Sequence, residues 1–298
     1  MCFKVTSSLI KESLKFMNLK LLFVLIYFYS ELSFSKTLIV TDFDDTIKVA
    51  HVLEEPVSYA TEYESRFKGM SDLYHALLNE LPDSKIVYLT NAYSFIMKNN
   101  HKKFLSQGGF PKGELLLRSF GEGSDYKKVQ LRNLIHRENP DQVILLGDNG
   151  QMDIDHYDVI AREFKSENIQ FYQYVRILYS PIAKDKILPL RANQVGFVTP
   201  IEIVLNLKNK KVVSERFSQE LFQIIGSEIM SDVPTAKYTP QYFPNWMRCE
   251  KFEWPNDVSR ESQIVKDVYE LVTHLCASKR LFSDPFIYQH RFKFFKVI

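Results

Sequence analysis

The chain is poor in cysteine, in charge imbalance and in long apolar runs. Three cysteines occur among 298 residues, so no dense disulfide framework holds it together. The formal net charge is only +2, and that excess sits at the N-terminus. The first 35 residues hold four lysines and two glutamates, leaving 34 basic and 34 acidic residues in the remainder. A nucleic-acid binder needs a basic footprint, so nucleic acid is excluded as an electrostatic partner. There are no internal repeats and no low-complexity segment. No apolar run is long enough to span a bilayer comfortably. The run Leu21–Tyr29 instead suits the h-region of a signal peptide. Ser33-Phe34-Ser35 places small residues two apart, so cleavage after Ser35 would leave Lys36 first. Met17-Asn18-Leu19-Lys20 forms a compact n-region, which makes Met17 an alternative start. A retained N-terminal membrane anchor is the competing reading of the same run. Removal of residues 1–35 takes Cys2 with it. In an oxidising compartment the remaining Cys249 and Cys276 are expected to pair, against the alternative of two unrelated buried thiols.

What the chain does have is carboxylates at strand ends. Leu38-Ile39-Val40-Thr41 reads as a buried strand and runs into Asp42-Phe43-Asp44-Asp45-Thr46. Alternation along an extended chain puts Asp42 and Asp44 on one side, facing the crevice where open α/β sheets bind ligands. Crowding two negative charges there is unfavourable unless a divalent cation and a phosphoryl group require them. One aspartate can attack phosphorus while the other handles the leaving-group proton. The bland alternative is an acidic turn with Asp45 and Thr46 as caps.

Three further segments share this design. Val143-Ile144-Leu145-Leu146 is wholly apolar, as suits a parallel strand covered on both faces. It leads into Gly147-Asp148-Asn149-Gly150-Gln151-Met152-Asp153, in which Asp148 and Asp153 offer hard oxygen ligands for Mg²⁺. Ile86-Val87-Tyr88-Leu89 ends in Thr90 and Asn91, natural donors to a phosphate oxygen. Ser124-Asp125-Tyr126-Lys127-Lys128 opens a helix whose apolar stripe is Leu131, Leu134 and Ile135. Lys127 shares that stripe and is expected to face inward, with Lys128 as the fallback.

Together the four segments resemble the haloacid dehalogenase superfamily of phosphotransferases and phosphatases over roughly residues 36 to 180. Asp42 through Lys48, Gly108 through Gly113 with Leu117-Arg118, and Gly147 through Asp153 ending in Tyr157 are similar, more narrowly, to the catalytic domain of actin-patch-associated phosphatidate phosphatases. Phe43, Ala92-Tyr93-Ser94 and Ile154 depart from that pattern. The resemblance implies Asp42 as nucleophile, Asp44 as acid and base, Thr90 and Lys127 on the phosphoryl oxygens, and Mg²⁺ on Asp42, the Asp44 carbonyl and Asp148. Asn91, Asp153 and Lys128 are supporting candidates.

Strand-like runs near 38–41, 86–89, 115–117, 143–146 and 170–175 alternate with helical patterns near 71–81, 93–107, 127–137 and 154–166. The expected fold is therefore α/β, a doubly wound parallel Rossmann-like sheet with a C-terminal, mostly helical extension. The expected division is a signal peptide 1–35, a phosphatase domain 36–205 and an extension 206–298. Thr199-Pro200-Ile201-Glu202 has the pattern of a helix start. Residues 236–256 read as a long loop, and 258–277 have helical spacing. The aromatic, basic tail from Phe286 suits either lipid contact or a closing strand. The gaps between motifs leave no room for a large cap domain, although residues 49–70 could form a flap. An open site suits a bulky phosphomonoester, possibly a lipid. A metabolite phosphatase and a secreted binding module with a vestigial site are the alternatives.

Overall fold

The computed structural model describes residues 35–53, 65–179, 189–232 and 242–279. The expected signal peptide up to Phe34, half of the possible flap and the tail from Phe286 lie outside these residues.

The apolar runs become strands: β1 (Thr37–Thr41), β2 (Ser84–Tyr93), β3 (Glu114–Arg118), β4 (Gln142–Asp148), β5 (Gln170–Arg176) and β6 (Gln194–Phe197). They form one parallel sheet in the order β3-β2-β1-β4-β5-β6. β6 has no counterpart among the expected strands. It is short, and Gly196 interrupts its apolar character.

Alternation along each strand splits the core. Leu38, Val40, Val87, Leu89, Val143 and Leu145 face one side, where α3 (Tyr126–Glu138) and α4 (Asp153–Glu163) cover them. Ile39, Ile86, Tyr88, Ile144 and Leu146 face the other. There they meet α1 (Met70–Glu80), residues of α2 (Ser94–Gln107) and α5 (Pro200–Asn209). The sheet is thus doubly wound. A strand buried on both faces must be apolar throughout, which is why these runs carry no polar alternation.

The second face is the thicker one. Two further helices, α6 (Glu215–Ser231) and α7 (Gln263–Lys279), add Leu221, Phe222, Ile225, Val265, Val268 and Val272 to its core. α6 is absent from the sequence expectations, although Ser214 caps it by accepting the Phe217 N–H. The start of α5 is as expected. Thr199 and Glu202 form a reciprocal capping box, with Pro200 inside the first turn. The part of the 236–256 loop that is described contains turns and no helix or strand.

Strand order fixes where a ligand can bind. The chain builds β1, β2 and β3 outward, then returns to place β4 on the opposite side of β1. Connections therefore diverge at the C-terminal ends of β1 and β4 and leave a crevice between them. Asp42 follows β1 and Asp148 ends β4.

Cys249 and Cys276 are joined by a disulfide with Cα atoms 4.9 Å apart. It ties the 242–256 loop to α7. Closing a loop of sequence separation 27 contributes about 3 kcal/mol by chain entropy. Intact mass should fall by two hydrogens relative to the reduced protein. Cys276→Ser should lower stability by about that amount in urea unfolding. Two alkylatable thiols in the non-reduced protein would rule out the bridge.

Candidate metal and phosphoryl site

β1 does not stop cleanly at Thr41. The Asp42 N–H still donates to the Leu146 carbonyl of β4 at 2.8 Å, so Asp42 stays tied to the sheet. The chain then turns sharply. Asp45 takes a left-handed φ of 62°, and the Ile47 and Lys48 N–H groups donate to the Phe43 carbonyl. The Asp45 carboxylate holds this turn. It accepts the Ala50, His51 and Val52 N–H groups and the Tyr179 hydroxyl. Asp45 therefore organises a whole loop, a larger role than the cap that the bland alternative gave it. Asp42 and Asp44 both line one cavity of about 470 Å³, together with Thr90, Asn91 and Arg118.

Behind Asp42 lies a buried ion cluster. Lys127 Nζ stands 2.6 Å from Asp42 Oδ1 and 2.6 Å from Asp153 Oδ1. Lys127 is 1% exposed, which marks it as an interior lysine. Lys128, the fallback, is not brought to the cluster. It pairs with exposed Asp125 at 2.7 Å, because consecutive helical positions diverge by about 100°.

Asp148 completes the cluster. Single oxygens of Asp42, Asp148 and Asp153 lie within 4.8 Å of one another. Asp148 Oδ1 accepts the Gly150 N–H, whereas Oδ2 of Asp148 and Oδ2 of Asp153 are buried without a hydrogen-bond partner. Three acids gathered so closely, two of them with an orphaned oxygen, fit a hard divalent cation. Gly147 makes the approach possible: a Cβ there would lie 2.5 Å from Asp153 Oδ2.

The electrostatics agree with an uncompensated site. Burial raises the Asp42 pKa to about 7 against the opposing pull of Lys127, and Asp153 adds to the rise. Burial also pushes Asp148 well above the carboxylate range, and its neighbours Asp153 and Asp42 push it further. For Lys127, burial works against the charge, but Asp153 and Asp42 outweigh it and raise its pKa. Asp44 differs from these. Burial would raise it, yet His101 and Lys48 hold its pKa below the usual value. Lys48 Nζ and His101 Nε2 each stand 3.8 Å from one of its oxygens.

The two predicted phosphate donors sit at the end of β2. Thr90 is buried, and its Oγ1 accepts the Ala92 N–H. Asn91 Oδ1 is buried without a partner. Sequence reasoning missed His101, which sits mid-helix among lysines with no flanking motif. It stacks on Phe43 at 3.8 Å. It also missed Arg176, buried at the end of β5 between Phe67 and Phe197, where it donates to the Thr46 and Val198 carbonyls. An arginine ending an apolar strand is the signal that was available.

Residues 37–172 match the family model described as "Phosphatidate phosphatase APP1, catalytic domain". The narrower of the two resemblances drawn from the motifs is thereby found again over that span. No curated protein matches the chain. Among solved structures, the chain is similar to one in "Structure of the Pnkp1/Rnl/Hen1 RNA repair complex", at 11% identity and a TM-score of 0.34. That likeness covers 48% of this chain and 43% of the other, so this chain spans less than half of it. A likeness so shallow carries no argument.

Removing one partner of a buried ion cluster leaves the others uncompensated. Lys127→Ala should cost about 3 kcal/mol or more, and Lys128→Ala about 0.5 kcal/mol or less. Urea unfolding of the two variants decides. Equal losses would mean that Lys127 does not hold the cluster.

Proposed function

We propose that the chain is an exported, Mg²⁺-dependent phosphatase of the haloacid dehalogenase type, acting on a bulky phosphomonoester such as a phosphatidate. The observation that carries this reading is the division of labour between two aspartates two residues apart. Asp42 is gripped from behind by Lys127, while Asp44 is flanked by His101 and Lys48 on the same cavity.

In the first step an Asp42 oxygen attacks phosphorus, and the bond from phosphorus to the leaving oxygen breaks. Asp44 gives that oxygen a proton. Free Asp44 is held as the carboxylate, and the incoming phosphate dianion beside it favours its protonated form. In the second step Asp44 takes a proton from water, whose oxygen attacks phosphorus. The Asp42–phosphorus bond breaks, and phosphate leaves with both aspartates restored. Thr90 and Asn91 orient the phosphoryl oxygens. Lys127 fixes the Asp42 carboxylate for in-line attack and offsets the charge that develops. A divalent cation on Asp42, Asp148, Asp153 and the Asp44 carbonyl would supply positive charge that offsets the acids and the phosphate beside them.

Export rests on the N-terminal apolar run and on the disulfide, which suits an oxidising compartment. Mass analysis of the secreted protein should find Lys36 first, and a chain retaining the first 35 residues would overturn this.

Asp42→Asn should fold normally and lose roughly three or more orders of magnitude in kcat, because an amide cannot form the acyl phosphate. Chelation should abolish hydrolysis of an aryl phosphate, and Mg²⁺ should restore it. Full activity in chelator would sink the metal assignment. Competition between short-chain phosphatidate and glucose 6-phosphate should favour the lipid in kcat/KM. A preference for the sugar would assign the site to soluble metabolites.

A further inference from the structure

Among the described residues seven large apolar side chains stand exposed, and four of them lie on segments that supply the wall of one cavity. Phe95 is 71% exposed and Phe120 88%, with Ile96 and Met152 about half exposed. Ile96 lines the cavity that holds Asp42, Asp44 and Thr90. Phe95 precedes it, with its ring 5.8 Å from that of Tyr93, another wall residue. Phe120 lies two positions beyond the wall residue Arg118, and Met152 follows the wall residue Gln151. All four come from segments that leave the C-terminal edge of the sheet, where the site is. Exposed apolar residues scattered singly mean little, but gathered around a site they mark a contact surface.

Charge indicates what that surface meets. Outside the first 35 residues the chain is electrically balanced, yet α2 carries Lys98, Lys102 and Lys103 and no carboxylate. Phe95, Lys98 and Lys102 stand at helical offsets of three and seven, on one stripe, and all three are exposed. At the mouth the Arg118 guanidinium lies 4.3 Å over the Tyr93 ring, and its Nε is buried without a hydrogen-bond partner. The acids on the Phe120 side are engaged locally: Glu122 accepts the Ser119 N–H, and Asp125 pairs with Lys128. Aromatic and aliphatic residues at the tip with lysines behind them form the pattern that enters the boundary between headgroups and acyl chains of an anionic bilayer.

We propose that this rim is a membrane-docking surface. Phe95, Ile96, Phe120 and Met152 enter the interfacial layer of an anionic bilayer, and Lys98 and Lys102 face its headgroups. The cavity then opens onto the membrane and takes its ester directly from the lipid layer. The catalytic meaning of docking rests on the phosphatase reading above, whereas docking itself does not.

The test separates the two. Full-length mature protein carrying Asp42→Asn, which leaves lipid substrates unconverted, is sedimented with phosphatidylcholine vesicles with and without phosphatidylserine. It should sediment with the anionic vesicles, and added salt should weaken the binding. Adding Phe95→Ser and Phe120→Ser should reduce binding roughly tenfold or more. In the active protein the same pair should leave kcat/KM for p-nitrophenyl phosphate unchanged while lowering it for phosphatidate in vesicles. Absence of sedimentation, or binding unaffected by the pair, would overturn the proposal. So would binding to polyglutamate but not to vesicles, which would assign the rim to an acidic protein. Vesicle binding by a protein inert toward p-nitrophenyl phosphate would count against the phosphatase reading and leave the rim standing.

Discussion

Asp42, Asp148 and Asp153 crowd together at buried positions, and among the described residues Lys127 is the one cation that touches two of them. Much of the architecture nearby answers this imbalance. Coulomb repulsion between such groups is strongest where the dielectric is low, and each acid also loses its hydration. A fold that tolerates such a cluster must hold it from several independent directions. The chain does so with β1, β4, α3 and α4, which bring Asp42, Asp148, Lys127 and Asp153 together from positions far apart in sequence. The sheet core supplies the rigidity, since β1 is paired on both edges along its whole length. Buried ion clusters of this kind are poor devices for stability. Their presence here is better explained by a charge that arrives later.

The loop after β1 shows how that rigidity reaches the reacting groups. Asp45 binds three backbone N–H groups and Tyr179. Tyr179 sits just beyond β5, where Asn149 accepts its N–H and that of Leu178 and donates to its carbonyl. Arg176 reaches from β5 to the Thr46 carbonyl and packs between two aromatic rings. The ends of β1, β4 and β5 are therefore cross-braced through polar side chains. Each brace uses a buried group whose desolvation is offset by several hydrogen bonds.

Much of this was legible in the sequence because it rests on local chemistry. The apolar runs had to be buried on both faces, so the parallel sheet followed. Asp42, Asp44, Thr90 and Asp148 sit at strand ends, where a side chain's direction follows from the strand itself. Lys127 was separable from Lys128 by helical phase alone. What stayed hidden depends on contacts between distant segments. Nothing around Asp45 announces that Tyr179 will be its partner. His101 reads as one more polar residue on a lysine-rich helix until Phe43 is seen against its ring. α6 escaped because its apolar positions are interleaved with exposed polar ones and it serves as a second layer over α1 and α5, remote from any motif.

That second layer bears on the site through the loop closed by the disulfide. Trp246 stacks on His51 at 4.2 Å and on Tyr179 at 5.5 Å. The Arg248 N–H donates to the Leu178 carbonyl at 2.7 Å. The 242–256 loop thus touches both the residue that follows the Asp45 turn and the tyrosine that holds it. Cys249, one residue beyond Arg248, is tied to Cys276 on α7, and α7 packs on α6. The C-terminal segment is therefore part of the frame around the aspartates. Without it, Tyr179 would lose an aromatic face and the exit of β5 a backbone hydrogen bond. The Asp45 turn would then rest on fewer fixed points, at the place where Asp42 and Asp44 must keep their relative orientation.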